Sequence, residues 1–214
     1  TDNDIEDNLQ TSEENEALAS TDYDEALSAQ TDTKVLGEGS ATYSNLAEEI
    51  GHSGNIKLIH KNYTYDGGES ITILEDNKVI DGNGAVIDMN GSTIRAFTVT
   101  ASDVTIKNLT IKNANYNGNG GAIYFSSSAT SGTVTNCNFA DNKATGDYGR
   151  GGAVYFYQGT GEVTNCNFTY NTAKMGKAIY INNKCTISVC DFTNNPITKG
   201  AIYSVTGDIT LSNN

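Results

Sequence analysis

The sequence predicts an all-β protein whose main part is a right-handed parallel β-helix, a solenoid of about six coils with about 25 residues each. Composition is the first observation that predicts it. Among 214 residues there are 22 glycines, no tryptophan and one proline, which is typical of many short strands joined by tight turns. The second observation is that two short motifs alternate from residue 104 onward. Their spacing leaves no room for crossover helices, so the strands stack directly, coil upon coil.

The first motif joins a glycine turn to a strand in which apolar residues flank a tyrosine. It occurs at 120–125, 151–156, 176–181 and 200–203, and its alanines are 31, 25 and 23 residues apart. Alternation puts the apolar residues on one face and the tyrosines on the other. If the apolar face is the core, the tyrosines form an outward stripe; in the opposite phase they are core residues. The stripe consists of Tyr124, Tyr155, Tyr180 and Tyr203.

The second motif has a cysteine two residues before a phenylalanine, at 134–139, 163–168 and 187–192. Its phase predicts a core column. The column consists of Leu109, Cys137, Cys166 and Cys190. No Cys-x-x-Cys pair is present, so metal binding is not indicated. Buried free thiols are the favoured interpretation; a disulfide that involves Cys185 and a catalytic thiol are the alternatives.

A column of asparagines, Asn108, Asn136 and Asn165, directly precedes the core column. A side-chain amide at a bend can bond to the equivalent amide one coil above it. We therefore predict an inner asparagine ladder at this bend. Val189 takes the asparagine position in the next coil, which predicts a local change of turn there.

The formal charge of −13 is concentrated in the first 40 residues, which contain 12 of the 26 acidic residues and a single lysine. Dense like charge with few apolar residues predicts a disordered acidic tail or linker over 1–40. The remaining residues are nearly neutral and form no basic stripe, so neither nucleic acid nor an anionic membrane surface is an expected partner. No run of 18 apolar residues is present that would predict membrane insertion.

The β-helix domain is predicted to span 41–214. An amphipathic segment at 44–51 is predicted to be a short α-helix that caps the first coil, with Ser44 as its N-cap residue. No similar segment follows the last repeat. We therefore expect the natural chain to continue beyond Asn214, or another chain to cover the last coil.

Two patterns carry a resemblance to known proteins. They are Gly-Gly-Ala-Ile/Val at 120–123 and 151–154, and Phe-x-x-Asn at 139–142, 168–171 and 192–195. Their combination resembles the repeats of polymorphic outer-membrane autotransporters. The segment 44–214 is still more similar to the adhesin-like surface proteins of methanogenic archaea, with a pectin-lyase-like β-helix. The resemblance implies an exported, extracellular protein of the cell surface, and it is specific for fold more than for activity because the matching residues build coils.

Many β-helices of this kind are polysaccharide lyases or hydrolases, which need converging carboxylates or a carboxylate-bound Ca²⁺ with a nearby base. The acidic residues beyond residue 40 occur at differing phases, and we interpret them as solvated turn residues. Asp81 and Asp88 flank one coil, but Asp-Gly-Asn-Gly at 81–84 is explained by turn chemistry. His52 and His60 lie beside no nucleophile motif and are interpreted as surface residues. No catalytic residue, metal or cofactor is predicted.

The coil that contains 141–150 has about six extra residues, and insertions in a solenoid map to loops that often bind ligands. Asp147, Tyr148 and Arg150 in this insertion are therefore candidate ligand-binding residues, together with the tyrosine stripe. Aromatic rings can stack on sugars, and arginine can bind their hydroxyl or acid groups. The alternative is a tolerated loop with a salt-bridged arginine.

The expected function is that of a non-catalytic, cell-surface adhesin-like module. Its β-helix face would bind polysaccharide or the surface glycans of a host or partner cell. A polysaccharide lyase or glycoside hydrolase is the first alternative, and a structural surface spacer is the second. Binding without turnover distinguishes the module from both.

Overall fold

Short segments of alternating apolar and polar residues form strands, and glycine or asparagine turns separate them. The structure, a computed structural model, describes residues 39–195 and 200–214. One helix, α1, covers Tyr43–Gly51. The strands in the described residues are β1 Ser40–Thr42, β2 Ile56–Lys57, β3 Asn62–Thr64, β4 Ile71–Ile73, β5 Val79–Asp88, β6 Phe97–Val99, β7 Val104–Lys112, β8 Asn115–Asn117, β9 Ile123–Phe125, β10 Ser131–Thr135, β11 Asn138–Ala140, β12 Lys143–Thr145, β13 Val154–Phe156, β14 Thr160–Thr164, β15 Asn167–Thr169, β16 Thr172–Ala173, β17 Ile179–Ile181, β18 Lys184–Ser188, β19 Ile202–Ser204 and β20 Ile209–Ser212.

These strands pair in parallel and form three sheets along a β-solenoid of about six coils. The 11-stranded sheet contains β1, β2, β3, β5, β7, β10, β11, β14, β15, β18 and β20; the 6-stranded sheet contains β4, β6, β9, β13, β17 and β19; the 3-stranded sheet contains β8, β12 and β16. The predicted fold class is confirmed. Of the predicted tail, 1–40, all but the last two residues lie outside the described part, and β1 already begins at Ser40.

Equivalent residues of successive coils lie directly above one another. In the 6-stranded sheet Tyr155 pairs with Tyr124 on one side and with Tyr180 on the other. In the 11-stranded sheet Val134 pairs with Val163. Columns of like residues therefore run along the solenoid axis, as the spacing of the repeats predicts.

The inward side of each strand contributes to one hydrophobic core. Phe139, Phe168 and Phe192 stack with ring centroids 5.0 Å apart at each step. Phe125 stacks on Phe156 at 4.6 Å. Such regular stacking buries aromatic surface in every coil, and burial of apolar area is the main stabilising contribution to the fold.

The cysteine column lies in this core. All four cysteines are buried, and none forms a disulfide. The neighbouring Cys137 thiol, together with burial, raises the pKa of Cys166 to about 12, and burial raises the pKa of Cys185 to about 12. The interpretation as buried free thiols is confirmed, because all four side chains are buried and unpaired.

The asparagine column at Asn108, Asn136 and Asn165 does not form the predicted inner ladder. Each of these residues has a positive φ, between 53° and 57°, a conformation that asparagine tolerates well. Their side chains lie at or near the surface, where the Asn165 amide donates to the Asn136 side-chain oxygen. The prediction was wrong because the left-handed bend turns these side chains outward.

The inner ladder consists instead of the asparagines three residues after each phenylalanine. Asn142 and Asn171 are fully buried, and Asn195 is nearly so. The Asn171 Nδ2 donates to the Phe139 carbonyl at 2.9 Å, and its Oδ1 accepts from the Asn142 backbone N–H at 3.1 Å. Each amide thus satisfies backbone groups that the bend between two sheets leaves unpaired.

Val189 does not change the turn, contrary to the prediction. Its φ is 54°, the same left-handed conformation as that of the asparagines below it, and its side chain is 50% exposed. A β-branched residue is strained in this region. The column therefore imposes its backbone conformation on a residue that does not favour it.

Val189→Asn is expected to raise the free energy of unfolding by about 1 kcal/mol, because it relieves left-handed strain and extends the surface ladder from Asn165. Chemical denaturation followed by circular dichroism would measure the change. Val205→Asn is the matched control, since Val205 is also exposed, at 58%, and has no positive φ. Equal effects of the two substitutions would contradict the interpretation of strain.

Helix α1 covers the first coil, as predicted, but it begins one residue earlier. Thr42, not Ser44, is the N-cap residue: its Oγ1 accepts from the Asn45 N–H at 3.2 Å, and the Asn45 Oδ1 accepts from the Thr42 N–H at 3.0 Å. Ser44 instead donates to Asp66. Among the described residues no helix has the length and apolar character that a membrane-spanning helix requires.

Candidate functional site

The tyrosine stripe lies on the outer side of the 6-stranded sheet, opposite to the core residues that flank each tyrosine. Its rings stack with centroids 5.4, 5.1 and 5.1 Å apart and with interplanar angles of 12°, 21° and 14°. The stripe contains Tyr124, Tyr155, Tyr180 and Tyr203. Alternation along the strands therefore places the tyrosines as the sequence predicts when the apolar face is the core.

The outward direction does not make every tyrosine accessible. Tyr155 is 0% exposed and Tyr180 is 3% exposed, whereas Tyr124 and Tyr203 are half-buried. Tyr157 lies over the first two rings of the stripe, 6.4 Å from Tyr124 and 6.1 Å from Tyr155 between ring centroids. The two middle tyrosines of the stripe are therefore covered, and a ligand can contact Tyr124 and Tyr203 more readily than Tyr155 and Tyr180.

Arg95 occupies an inside corner between two sheets. Its Cζ lies 4.0 Å from the ring centroid of Tyr116 in β8 and 4.4 Å from that of Tyr124 in β9. These strands belong to the 3-stranded and the 6-stranded sheet, so the guanidinium contacts one tyrosine from each of two sheets. Burial lowers the pKa of Arg95, while the two tyrosines oppose that shift. Sequence reasoning missed Arg95 because it lies outside both repeat motifs.

Arg150 occupies a similar position two coils further on. Its Cζ lies 5.2 Å from the ring centroid of Tyr180. Among the described residues, no carboxylate forms an ion pair with Arg150 or with Arg95. The alternative of a salt-bridged arginine in a tolerated loop therefore has no support.

The insertion around 141–150 is less of a loop than predicted. Asn142 belongs to the buried ladder, and Lys143–Thr145 forms β12. The turn that remains carries Asp147 and Tyr148, both exposed, with Tyr148 at 77%. The structure thus places Arg150 on the tyrosine stack and leaves the other two candidates in the adjoining turn.

The hydroxyl groups of Tyr124, Tyr155 and Tyr180 are neutral at physiological pH. Burial raises the pKa of Tyr124, Tyr155 and Tyr180 above the ordinary value, despite the opposing effects of the arginines. The Tyr155 hydroxyl accepts a hydrogen bond from the Asn182 Nδ2 at 3.1 Å. These hydroxyls can therefore both donate to and accept from a ligand at the margins of the stack.

Several polar atoms close to the stack are buried without a hydrogen-bond partner. They are Arg95 Nε, Asn115 Oδ1, Asn119 Oδ1 and Arg150 Nε. Buried polar atoms are usually paired, and unpaired ones call for a functional explanation. We name Arg95, Tyr116, Arg150 and the four stripe tyrosines the tyrosine–arginine face.

A second feature is a shallow polar groove of about 390 Å³ on the 11-stranded sheet. Asp103 and Glu162, from different coils, line it together with Lys184 and several threonines. The Asp103 Oδ1 accepts a hydrogen bond from the Ser131 hydroxyl. The groove thus brings acidic residues from separate coils into one lining.

Asp81 and Asp88 have structural roles in the turns. The Asp88 carboxylate accepts from Asn113 Nδ2 and from the Asn90 N–H, both at 2.9 Å, and lies 3.0 Å from Lys112 Nζ. Asp81 has the same arrangement one bend earlier. Desolvation raises the pKa of each carboxylate, but these hydrogen bonds and lysines together lower it further, so each pKa lies below the ordinary value of 3.8.

Asp88→Asn is expected to lower the free energy of unfolding at pH 7 by about 1 kcal/mol, through loss of charged hydrogen bonds. Since the folded-state pKa of Asp88 is lowered, this stabilisation is present above pH 3.8 and is lost as the pH falls through the folded-state value. Urea titrations between pH 3 and 7 would measure it. The exposed Asp208→Asn is the control, and a pH-independent difference for Asp88→Asn would contradict the assignment.

His60 is not the surface residue that the sequence predicted, whereas His52 is exposed. His60 is 9% exposed, and its Nε2 lies 3.7 Å from Glu49 Oε1 under helix α1. Tyr63 donates to the other oxygen of Glu49 at 2.8 Å. The cap thus covers a small polar cluster, which sequence reasoning missed because its members come from α1 and the first coil.

The described residues contain no group of three or more His, Cys, Asp or Glu side chains arranged to hold a metal ion. The tyrosine–arginine face and the polar groove are therefore the candidate sites on which functional arguments can be built. Comparison of the chain with profiles of known protein families, with curated proteins and with solved structures gives no match.

Proposed function

We propose that this protein is a non-catalytic, extracellular module of the cell surface, similar in role to an adhesin, that binds polysaccharide or the glycans of another cell. The observation that carries the proposal is the tyrosine–arginine face. Four stacked tyrosines run along the solenoid axis. Two arginines flank them, and neither forms an ion pair with a carboxylate in the part of the chain that the structure describes. Tyrosine and arginine are the residues most enriched where proteins bind partners strongly.

The shape of the face favours an extended ligand over a compact one. Its side chains repeat with the coils, at the strand spacing of about 4.8 Å. A repeating polymer can meet equivalent groups in each coil, and the summed contacts raise its apparent affinity. The half-buried ring of Tyr203, which stacks on Tyr180, offers apolar surface for a sugar ring. The ring of Tyr124 lies between Tyr155 and Arg95 and offers its edge and its hydroxyl group.

The polar groove is the observation that favours the rival, a polysaccharide-degrading enzyme. Asp103 and Glu162 line it, and glycoside hydrolysis requires a pair of carboxyl groups on either side of the scissile bond. Asp103 is already hydrogen-bonded to Ser131, which favours a structural role for it. The enzyme therefore remains the second candidate, and it predicts product formation that Glu162→Gln abolishes.

A glycan-array screen of the full chain, run beside assays for new reducing ends and unsaturated products, tests both candidates. We expect binding without product, and a loss of at least tenfold in affinity for Tyr124→Ala, because truncation of a tyrosine that dominates an interface costs about 2 kcal/mol or more. Tyr170→Ala is the matched control, since Tyr170 is 55% exposed outside the tyrosine–arginine face.

The possible outcomes separate the three functions. Product formation would replace the adhesin-like module by the enzyme. Absence of both binding and product would favour a structural spacer. Equal losses for Tyr124→Ala and Tyr170→Ala would show that glycans bind elsewhere on the solenoid.

A further inference from the structure

We infer that the ligand of the tyrosine–arginine face is anionic: a polysaccharide that carries carboxylate or sulfate groups, which Arg95 and Arg150 bind. This inference rests on the proposed function and specifies its ligand. It goes beyond that function because it specifies the charge of the glycan. Neutral and acidic glycans could both contact the tyrosines, whereas only an acidic glycan would form ion pairs with both guanidinium groups.

The two arginines are the only ones in the sequence, and both lie on this face. Of the lysines in the described residues, Lys78, Lys107 and Lys112 each lie 3.5 Å or less from a carboxylate oxygen, and most of the others are exposed to solvent. The arginines instead lie against tyrosine rings. The face thus concentrates positive charge that no carboxylate within 39–195 and 200–214 neutralises.

Burial makes this lack of partners informative. Arg95 is 9% exposed, and Arg150 is half-buried. A charge removed from water is costly unless a counter-charge or hydrogen bonds compensate it, and contact with tyrosine rings supplies only part of that compensation. The Nε atoms of both arginines are buried without a partner. An anionic group at the accessible part of Arg150 would supply the counter-charge that this guanidinium lacks among the described residues.

The guanidinium group favours one chemistry of ligand. Its planar fork of donors matches carboxylate and sulfate oxygens in a bidentate manner, and such charge-assisted bonds are about twice as strong as neutral ones. A sugar hydroxyl offers neither the second acceptor nor the charge. A neutral glycan would therefore leave the electrostatic cost of the buried arginines uncompensated.

The spacing of the two arginines indicates a polymer. Arg95 lies over Tyr124 and Arg150 over Tyr180, two coils apart, which corresponds to about 10 Å at the strand spacing. A chain with regularly spaced acidic groups can engage both at once, so that the second contact is intramolecular. A single acidic sugar reaches one of them.

The negative net charge of the whole chain allows a local anion-binding site to be distinguished from general electrostatic attraction. At −13, the protein as a whole repels polyanions. Binding of an acidic polymer therefore requires a local site and is not a general effect of charge. It should weaken as salt rises, because screening reduces the attraction at the partly exposed arginine.

The test measures binding of the full chain to three polymers by biolayer interferometry: alginate, which carries carboxylates, dextran sulfate, and neutral dextran. We expect at least one acidic polymer to bind at least tenfold more tightly than dextran, and the preferred polymer identifies the anionic group. Arg150→Gln should reduce that affinity about tenfold or more, since each charged hydrogen bond contributes about that much. The affinity of Arg150→Lys should lie between those of the unsubstituted protein and Arg150→Gln, because lysine keeps the positive charge but lacks the planar arrangement of donors.

Lys57→Gln is the matched control, because it removes the same charge from an exposed site distant from the face. Thermal unfolding of each variant confirms that it is folded. Equal affinity for acidic and neutral polymers, or equal effects of Arg150→Gln and Lys57→Gln, would overturn the inference. In those cases glycan binding itself would still support the proposed function; absence of binding to any glycan would overturn both.

Discussion

Gly152→Ala is expected to lower the free energy of unfolding by about 3 kcal/mol or more, because the added methyl group has no space. A Cβ at this position would lie 2.1 Å from the carbonyl oxygen of Lys177 in the next coil and 2.6 Å from that of Thr172. Both contacts are to backbone atoms, which cannot rotate away as a side chain can. The coils would have to separate locally, which breaks hydrogen bonds between neighbouring strands.

Urea denaturation of Gly152→Ala measures this loss, and Gly51→Ala is the control. Gly51 lies in helix α1 with no atom within 4 Å of the position of its Cβ, so alanine there should be neutral or stabilise by about 0.5–1 kcal/mol. Comparable stability of the two variants would show that the coils are less closely packed at the glycine corner than the structure indicates.

Asn171→Ala is expected to lower the free energy of unfolding by about 3 kcal/mol or more, since it leaves several buried groups unpaired. The Phe139 carbonyl loses its donor, and the Asn142 backbone N–H loses its acceptor. Both groups lie in an environment that excludes water, because Asn142 and Asn171 are 0% exposed. The side chain thus replaces backbone pairing that the bend prevents.

The control for this prediction is Asn167→Ala in the same coil. Asn167 is exposed, and its Nδ2 donates to Asn138 Oδ1 at 2.8 Å on the surface. We expect its substitution to change the free energy of unfolding by less than about 0.5 kcal/mol. A loss for Asn167→Ala as large as that for Asn171→Ala would contradict the distinction between the inner and the surface asparagine ladders.

The sequence was sufficient to predict the coil repeat and the core columns, because both follow from periodicity; it left open whether the tyrosines point outward or into the core. When one residue type recurs at the same position of every repeat, as cysteine does, those residues are expected to stack in a column along the solenoid. The capping helix was also predictable, since its apolar residues recur at i, i+4. Leu46 and Ile50 are both buried as expected.

Periodicity could not indicate which of two asparagine columns lies inside. Both Asn165 and Asn171 recur once per coil, and the difference depends on the backbone: Asn165 has φ of 54°, which turns its side chain outward. Periodicity also could not show which residues cover the tyrosines. Burial of Tyr155 depends on Tyr157 and on the neighbouring sheet, and alternation carries no information about a second layer.

The candidate site depended on residues outside the repeats, and this limited its prediction. Arg95 lies between two motifs, and its importance follows from contacts with tyrosines of two different sheets. Its rarity was the available signal, because a chain with two arginines and eleven lysines uses arginine selectively. His60 is a similar case, since its burial results from the position of helix α1.

The exact register between coils has a consequence for how such a molecule can vary. Tyr155 meets a tyrosine above and a tyrosine below, and Phe168 likewise lies between two phenylalanines. The segment 151–175, which is one complete coil, therefore presents compatible upper and lower surfaces. Duplication of this segment by recombination would insert a further coil without redesign of the core. The length of the solenoid can therefore change by whole coils, each of which contributes its own stability and its contacts with two neighbours.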